Sequence, residues 1–429
     1  MRKETPATEF VKLIKTPEIS RHPLQNGVNL LLMPIENTSL VRIDFIFYGG
    51  KWVQSNPMTA FATINSLKDG SRHFSPNVIN EKIDYYGATF NANAFRSYSL
   101  ITLTVLNKFI DPITDIVKDF FTYPLFNKEL FLILKQQLYA SYAMKMDKVK
   151  ERAKRLLFEK MFGTVHPLGR FENPESLESL SIEDLKDYFT NNVYSGNCDI
   201  LVSGGYNEDT IDNIAGKFGK EQWGINKRRN KIEFYPDNME FVRGKSFKSS
   251  MEMPTIQSAL YAGCKLPKLT GNDSSHLILA NIILGGYFGS RLMKNIREEK
   301  GYTYGINSSL MHTQFNSFII IKTETTTQLM DKVIQETKNE LIRLSEKVVD
   351  DMELENVKKY LSGYYSRIYE NNFSFPQHYI KYMADRERNH NIKHTLEHIK
   401  HACGEDIQNI FSRFLAPNNF VWATCGSDK

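Results

Sequence analysis

The chain repeats itself, and an internal repeat restricts the fold more than any composition figure can. Ser181-Ile-Glu-Asp184-Leu185 leads through Phe189 to Asn197-Cys198 and ends at Gly204, while Gly404-Glu-Asp406-Ile407 leads through Phe411 to Asn419 and ends at Gly426. Asp184 to Phe189 and Asp406 to Phe411 are both five positions, and Asp184 to Gly204 and Asp406 to Gly426 are both twenty. Each segment reads as a capped amphipathic helix, a turn and a short β-rich strand closing on glycine. A second pair lies earlier in each half. Leu67-Lys-Asp-Gly70-Ser71 leads to Ile83-Asp-Tyr-Tyr-Gly87 and the alternating run Ser99 to Val105, and Leu284-Gly285-Gly286 leads to Ile296-Arg-Glu-Glu-Lys-Gly301 and the run Phe318 to Thr323.

Two helical stretches follow the strand in each half, at 109–122 and 127–161, then at 327–345 and 348–370. Strands followed by long helices, rather than strict alternation, predict mixed or antiparallel sheets covered on one face. The expected organisation is therefore α+β, with two homologous domains, each a mostly antiparallel sheet packed with long helices. The first spans 1–224 and the second 225–429, with 225–244 as the linker.

Composition serves mainly to exclude. A chain of 429 residues that is 41% hydrophobic, 24% charged and 12% aromatic can fill two cores and is neither disordered nor a coiled coil. Its charge of 54 minus 49, or +5, is too diffuse to point to nucleic acid, and the densest basic run, Lys227 to Lys231, reads as a solvated linker. Cys198, Cys264, Cys403 and Cys425 are far apart, with no CxxC pair, which predicts reduced thiols. No apolar core of signal-peptide length follows the N-terminus, and the apolar run Leu277 to Leu284 is interrupted by Asn281 and too short for a bilayer. A cytoplasmic protein with no membrane partner is the expectation. P-loop, nucleophilic serine and cysteine-site patterns are absent.

The order of motifs resembles the M16 family of zinc metallopeptidases (pitrilysin, insulinase and the processing peptidases), over nearly the whole chain, and within it subfamily B. Tyr48-Gly49-Gly50 follows a strand, and Ala60 to Ser71 stands where the family has its metal-binding helix. Asp84-Tyr-Tyr-Gly87-Ala-Thr-Phe matches the hairpin carrying the active-site edge strand, and His166-Pro167-Leu168-Gly169-Arg170 matches the His-Pro-x-Gly-Arg segment. The resemblance implies a LuxS/MPP-like metallohydrolase fold.

It also implies a lost metal site. The family's zinc motif is His-x-x-Glu-His, two histidines on one helical face with a glutamate as general base. Counting back from Gly70-Ser71 puts those positions at Phe61, Ile64 and Asn65. The family's third ligand, a glutamate on the long helix that follows, falls at Ser141 or Tyr142. No carboxylate stands there, so this chain is expected to hold no catalytic zinc.

The second half keeps what the first has lost. M16 enzymes use an arginine and a tyrosine, seven residues apart, that reach the substrate's scissile region. Here Arg297 and Tyr304 are seven apart, preceded by the glycine-rich approach Gly285-Gly286-Tyr-Phe-Gly289-Ser290-Arg291. A guanidinium and a phenol can both donate hydrogen bonds to a developing oxyanion. Considered without the family frame, Arg297 is a solvated helix residue and Tyr304 a strand aromatic.

A literal His-x-x-Glu-His does occur, at His394-Thr395-Leu396-Glu397-His398, flanked by His390 and His401. It lies next to the closing helix of the repeat instead of early in a half, and too little chain follows for a distant third ligand. The expectation is a solvated helix and not a metal site.

Some M16B enzymes are built from two chains, one with the zinc motif and one without it that keeps the arginine and tyrosine. The resemblance implies that this chain is the second kind. It would be a non-catalytic, substrate-binding subunit with no cofactor of its own, partnered by a zinc-bearing subunit in a heterodimer that cleaves peptides. Whether the isolated chain pairs with itself as a homodimer is left open by the sequence. Two alternatives differ in class: an M16-like assembly or peptide-binding protein with no proteolytic role, and an autonomous zinc peptidase using His394, Glu397 and His398.

Overall fold

The structure, a computed structural model, describes residues 17–427 apart from 225–231, 268, 270, 314, 316, 372 and 385–391, and omits the side chains of 392 and 393. The basic run Lys227 to Lys231 and His390 lie outside the described residues.

Eleven described strands make two sheets. The first holds β1 (Ser20–Pro23), β2 (Asn29–Pro34), β3 (Leu40–Tyr48), β4 (Thr89–Ala94), β5 (Tyr98–Leu106) and β6 (Cys198–Gly204), in the order β1-β2-β6-β3-β5-β4. The second holds β7 (Ser246–Ser250), β8 (Gln257–Leu266), β9 (Ile306–His312), β10 (Ser317–Thr326) and β11 (Val421–Gly426), in the order β7-β11-β8-β10-β9. With β1 set aside the two orders are the same. In each sheet one pair is parallel, β2 with β6 and β7 with β11, and the remaining pairs are antiparallel. The repeat read from the sequence is thus a repeat of topology, and β4 and β9 are the corresponding free edges.

The helices of the first half are α1 (Thr59–Ser66), α2 (Pro76–Tyr85), α3 (Ile110–Thr122), α4 (Lys128–Met146), α5 (Val149–Phe162), α6 (Pro174–Ser179), α7 (Ile182–Asn192) and α8 (Glu208–Gly219). Those that follow are α9 (Met239–Val242), α10 (Asn272–Asn281), α11 (Met330–Glu346), α12 (Asp351–Glu370), α13 (Ser374–Ala384), α14 (Ile392–His401) and α15 (Gly404–Phe414). The repeated caps are real. Ser181 accepts from the Asp184 N–H while Asp184 accepts from the Ser181 N–H, and Cys403 and Asp406 reproduce the arrangement at the start of α15.

Two expectations are corrected. The stretch 127–161 is not one helix: it breaks at Asp147-Lys148 into α4 and α5. The break matters because α5 leaves its own half. Val149, Ala153, Leu157 and Met161 pack with Ala259, Tyr261, Phe318, Ile320, Val421 and Ala423 on one face of the second sheet. Gly263 on β8 lets the helix approach, since a Cβ there would lie 2.5 Å from the Met161 sulfur.

Nor is either sheet covered on one face alone. One face of the first sheet packs on α1, α3 and α8 through Phe45, Phe47, Ile101, Phe120 and Phe218. Its other face, with Leu31, Ile46, Leu100 and Leu201, belongs to one apolar cluster with Phe375 and Ile380 of α13. The α10, α11 and α15 side of the second sheet belongs to that same cluster. This double cover explains why β3 and β6 read as continuous apolar runs with no alternation.

Arg42 of β3 ties the halves together. Its guanidinium donates twice to Asp44, at 2.7 and 2.9 Å, and a third time to the Phe373 carbonyl at 3.2 Å, between α12 and α13. Asp44 is fully buried and also accepts from Thr102 at 2.6 Å. Burial raises its pKa above the ordinary carboxylate value, with the Arg42 contacts opposing. The thiols of Cys198, Cys264 and Cys425 are buried and that of Cys403 is exposed, with no disulfide among the four, and burial pushes Cys264 up to about 12.

Candidate functional site

The loop before α1 is held from a distance. His166 is 3% exposed, and burial pushes it down to about 4, so the neutral ring accepts the Leu168 N–H at Nδ1, 3.0 Å away. The ring stacks on Phe162 at 4.9 Å and meets the edge of Trp52 at 5.4 Å. Gly169 passes so close to Gly163 that a Cβ would sit 2.2 Å from the Gly163 carbonyl oxygen. That turn delivers Arg170 to the carbonyls of Gln54 (2.5 Å) and Ser55 (3.1 Å). Gln54 in turn caps α1 by accepting the Ala60 N–H at 3.2 Å.

The helix so positioned carries no metal chemistry. Ile64 is fully buried in the first-half core. Phe61 is half-buried against that core and against the cluster of Ala60, Ala94 and Tyr188. Asn65 turns its amide back on its own helix, donating to the Phe61 carbonyl at 2.9 Å. On α4, Ser141 is half-buried, and the ring of Tyr142 lies under the Arg155 guanidinium at 5.3 Å. Two apolar side chains, a self-satisfied amide and a ring carrying a cation do not fit a dication.

The second half holds one of its two residues half-buried, Arg297, and the other exposed, Tyr304. Arg297 lies in a widened helical turn, Met293–Glu299, in which the Lys300 N–H reaches the Asn295 carbonyl at 3.1 Å and the Tyr302 N–H reaches Ile296 at 2.9 Å. Such turns recur at functional sites. Gly301, at φ +61°, ends the turn in a conformation that glycine adopts without strain. The inner face is pinned. Ile296 is fully buried, and Asn295 donates to Glu340 at 2.5 Å and to Glu336 at 3.3 Å, while Lys300 pairs with Glu336. The glycine-rich approach is anchored by a bidentate pair, Arg291 to Glu353 of α12, at 3.0 and 2.7 Å.

Tyr304 is set by its neighbours. The Thr303 hydroxyl is shared with Thr323 (2.8 Å) and donates to the Glu324 carbonyl (2.6 Å), and the Gly305 N–H donates to Thr303 at 3.2 Å. With both flanking residues fixed, Tyr304 faces solvent, 93% exposed, its hydroxyl without a hydrogen bond among the described residues.

Arg297 and Tyr304 do come together. The guanidinium lies over the Tyr304 ring at 5.8 Å and over the Phe288 ring at 4.6 Å, with Glu298 at 4.0 Å. Apart from the long approach to Glu298, the guanidinium has no polar partner among the described residues, so its N–H donors stay available to an incoming carbonyl. Phe288 is the member that sequence reasoning missed. Its signal was an exposed aromatic in a glycine-rich loop, and it is 63% exposed.

The C-terminal histidines form no third-ligand geometry. His394 and His398 share a face of α14 with rings 6.0 Å apart, but Glu397 points to His401 at 3.5 Å, both largely exposed. Among the described residues no group of three or more His, Cys, Asp or Glu side chains could hold a metal ion. No described helix is long and apolar enough to cross a membrane.

Comparison with known proteins follows the same outline. Residues 179–361 match the family described as the Peptidase M16 inactive domain. A Bacillus subtilis protein named uncharacterized zinc protease YmxG is 25% identical over 80% of this chain and 83% of its own length. A Helicobacter pylori protein named non-peptidase homolog YmxG is 23% identical over 78% of each chain. The crystal structure of a peptidase M16 inactive domain from Pseudomonas fluorescens superposes with a TM-score of 0.83 over 96% of this chain and 98% of that one, at 19% identity.

Proposed function

We propose that this chain, whose residues 179–361 match the M16 inactive-domain family and whose fold is that of an M16 inactive domain, is the non-catalytic, substrate-binding subunit of a two-chain M16B zinc peptidase. The observation that carries the reading is a contrast. Phe61, Ile64, Asn65, Ser141 and Tyr142 leave no metal site, yet the half-buried Arg297 guanidinium lies over the ring of the exposed Tyr304. The partner, of similar size, supplies zinc and the water it activates. This chain binds the peptide along a free sheet edge, with Arg297 and Tyr304 donating to the carbonyl under attack. The 1–224 half then serves as a wall of the chamber, and the 225–429 half as its reaching side. A cytoplasmic location goes with the reduced thiols.

The test is Arg297→Ala in the pair co-purified from the chain's own cells, followed with a quenched fluorescent peptide. Removing one such donor costs about 100-fold or more in rate, with assembly unchanged. Undiminished cleavage by an intact pair would end the role. A second reading, a binding or assembly protein with no proteolytic part, gains support from the non-peptidase name of the Helicobacter relative. It predicts that no zinc-bearing chain co-purifies.

A further inference from the structure

A set of charges in the first half, beside the vacated metal positions, does not balance. Glu172 receives Arg155 at 2.8 Å and Lys145 at 3.3 Å. Lys51 is a third cation in its field. Lys154, on the same face of α5, is matched by Glu151 at 3.0 Å and adds no net charge. Arg155 also lies in the field of Glu159, so three cations face two carboxylates. Lys51 is half-buried and its ammonium has no ion-pair or hydrogen-bond partner among the described residues; burial holds its pKa below the ordinary lysine value. Arg155 is 8% exposed, and its Nε is buried without an acceptor. Its guanidinium is fixed by two rings, Tyr142 at 5.3 Å and Phe171 at 5.0 Å. Unmatched charge of this kind is costly to bury, and perturbed groups of this kind cluster where ligands bind.

The position says what the ligand is. Lys51 lies in the tight turn Gly50–Trp52, which clasps the end of β4: the Lys51 N–H donates to Phe95 at 2.8 Å and the Trp52 N–H to Arg96 at 2.9 Å. β4 is the edge of the first sheet. A polypeptide laid along that edge reaches the turn that carries Lys51, and its anionic groups are carboxylates. We propose that Lys51, Lys145 and Arg155 form a carboxylate-binding site at the end of the β4 edge, taking an acidic group of a bound peptide. The site concerns this chain alone and stands or falls apart from the role given to Arg297 and Tyr304.

The test uses the full chain, fluorescence anisotropy at low ionic strength, and three labelled probes. These are the amidated peptide Ala-Val-Glu-Glu-Val-Ala, its Gln-for-Glu form, and that Gln form with a free terminal carboxylate. A charge-assisted contact predicts that a carboxylate tightens binding by about tenfold. An advantage for the Glu peptide assigns the ligand to a side chain, and one for the free-acid Gln peptide to a chain end. Lys51→Gln removes the advantage and Lys51→Arg keeps it. Lys150→Gln removes the same charge from α5 at a residue paired with Glu324 at 3.8 Å and keeps the advantage too. The proposal is overturned if neither carboxylate tightens binding, or if Lys150→Gln erases the preference as fully as Lys51→Gln.

Discussion

Arg42→Ala is the sharpest test of how the two halves are joined. The change removes both donors to Asp44 and the contact to the Phe373 carbonyl, leaving Thr102 as the one named donor to a carboxylate that is 0% exposed. Deleting one partner of a buried pair costs about 3–5 kcal/mol, because the other charge stays buried. Domains are stable by about 5–15 kcal/mol, so the loss is a large share, worth roughly 10 °C in melting temperature for a half of this size. The pH dependence adds a second check. Burial raises the folded pKa of Asp44 above its ordinary value, with Arg42 opposing. A carboxyl raised on folding binds its proton more tightly in the native state, so its ionisation disfavours folding at neutral pH. That penalty fades as pH falls through the folded pKa toward the unfolded one. Without Arg42 the folded pKa rises further. The deficit of Arg42→Ala relative to the parent should therefore shrink on going from pH 7.5 to pH 5, by up to about 1.4 kcal/mol per unit. Thermal melts of both proteins at both pH values measure it. Replacing both residues by leucine should recover most of the loss, since an apolar pair can match a buried ion pair. A loss below about 1 kcal/mol, or a deficit that grows on acidification, would refute the reasoning.

Two further outcomes are expected. Gly169→Ala places a Cβ 2.2 Å from one backbone oxygen and 3.0 Å from another, neither on a flexible side chain. It should cost about 1–3 kcal/mol in a denaturant melt and loosen the loop that Arg170 holds. Chain washed with EDTA and repurified should contain far less than one zinc by elemental analysis. Added zinc should then shift the melting temperature of the parent no more than that of His394→Ala, whereas retained stoichiometric zinc would restore the autonomous-peptidase alternative.

What the sequence made legible was local or periodic. The spacing from Asp184 to Gly204 and from Asp406 to Gly426 located two capping boxes and two closing strands, because caps and strand ends are written in a few adjacent residues. Arg297 and Tyr304 could be paired by spacing, and the guanidinium lying over the ring supplies the contact. The break at Asp147-Lys148 was not legible. α4 is apolar enough on several sides, and what ends it is the departure of α5 to a sheet more than a hundred residues away in sequence. The cover on the second face of each sheet was hidden for the same reason. Phe288 was missed because a lone aromatic in a loop carries no periodicity. The cationic surplus around Glu172 draws on three separate segments, which no local reading could have assembled.

The crossing of α5 and α13 bears on how such a chain could have arisen and how it moves. Each half lends a helix to the other, so the duplicated units are stitched like clasped hands and not merely tethered. Losing either helix would strip an apolar face from a sheet in the opposite half. A single half would leave an apolar sheet face uncovered, and a second copy of that half lending its own helix would cover it. In the duplicated chain the exchange is internal and permanent. Under the two-chain proposal, opening and closing around a peptide would fall to the boundary between this chain and its partner, with the two halves travelling together as one valve.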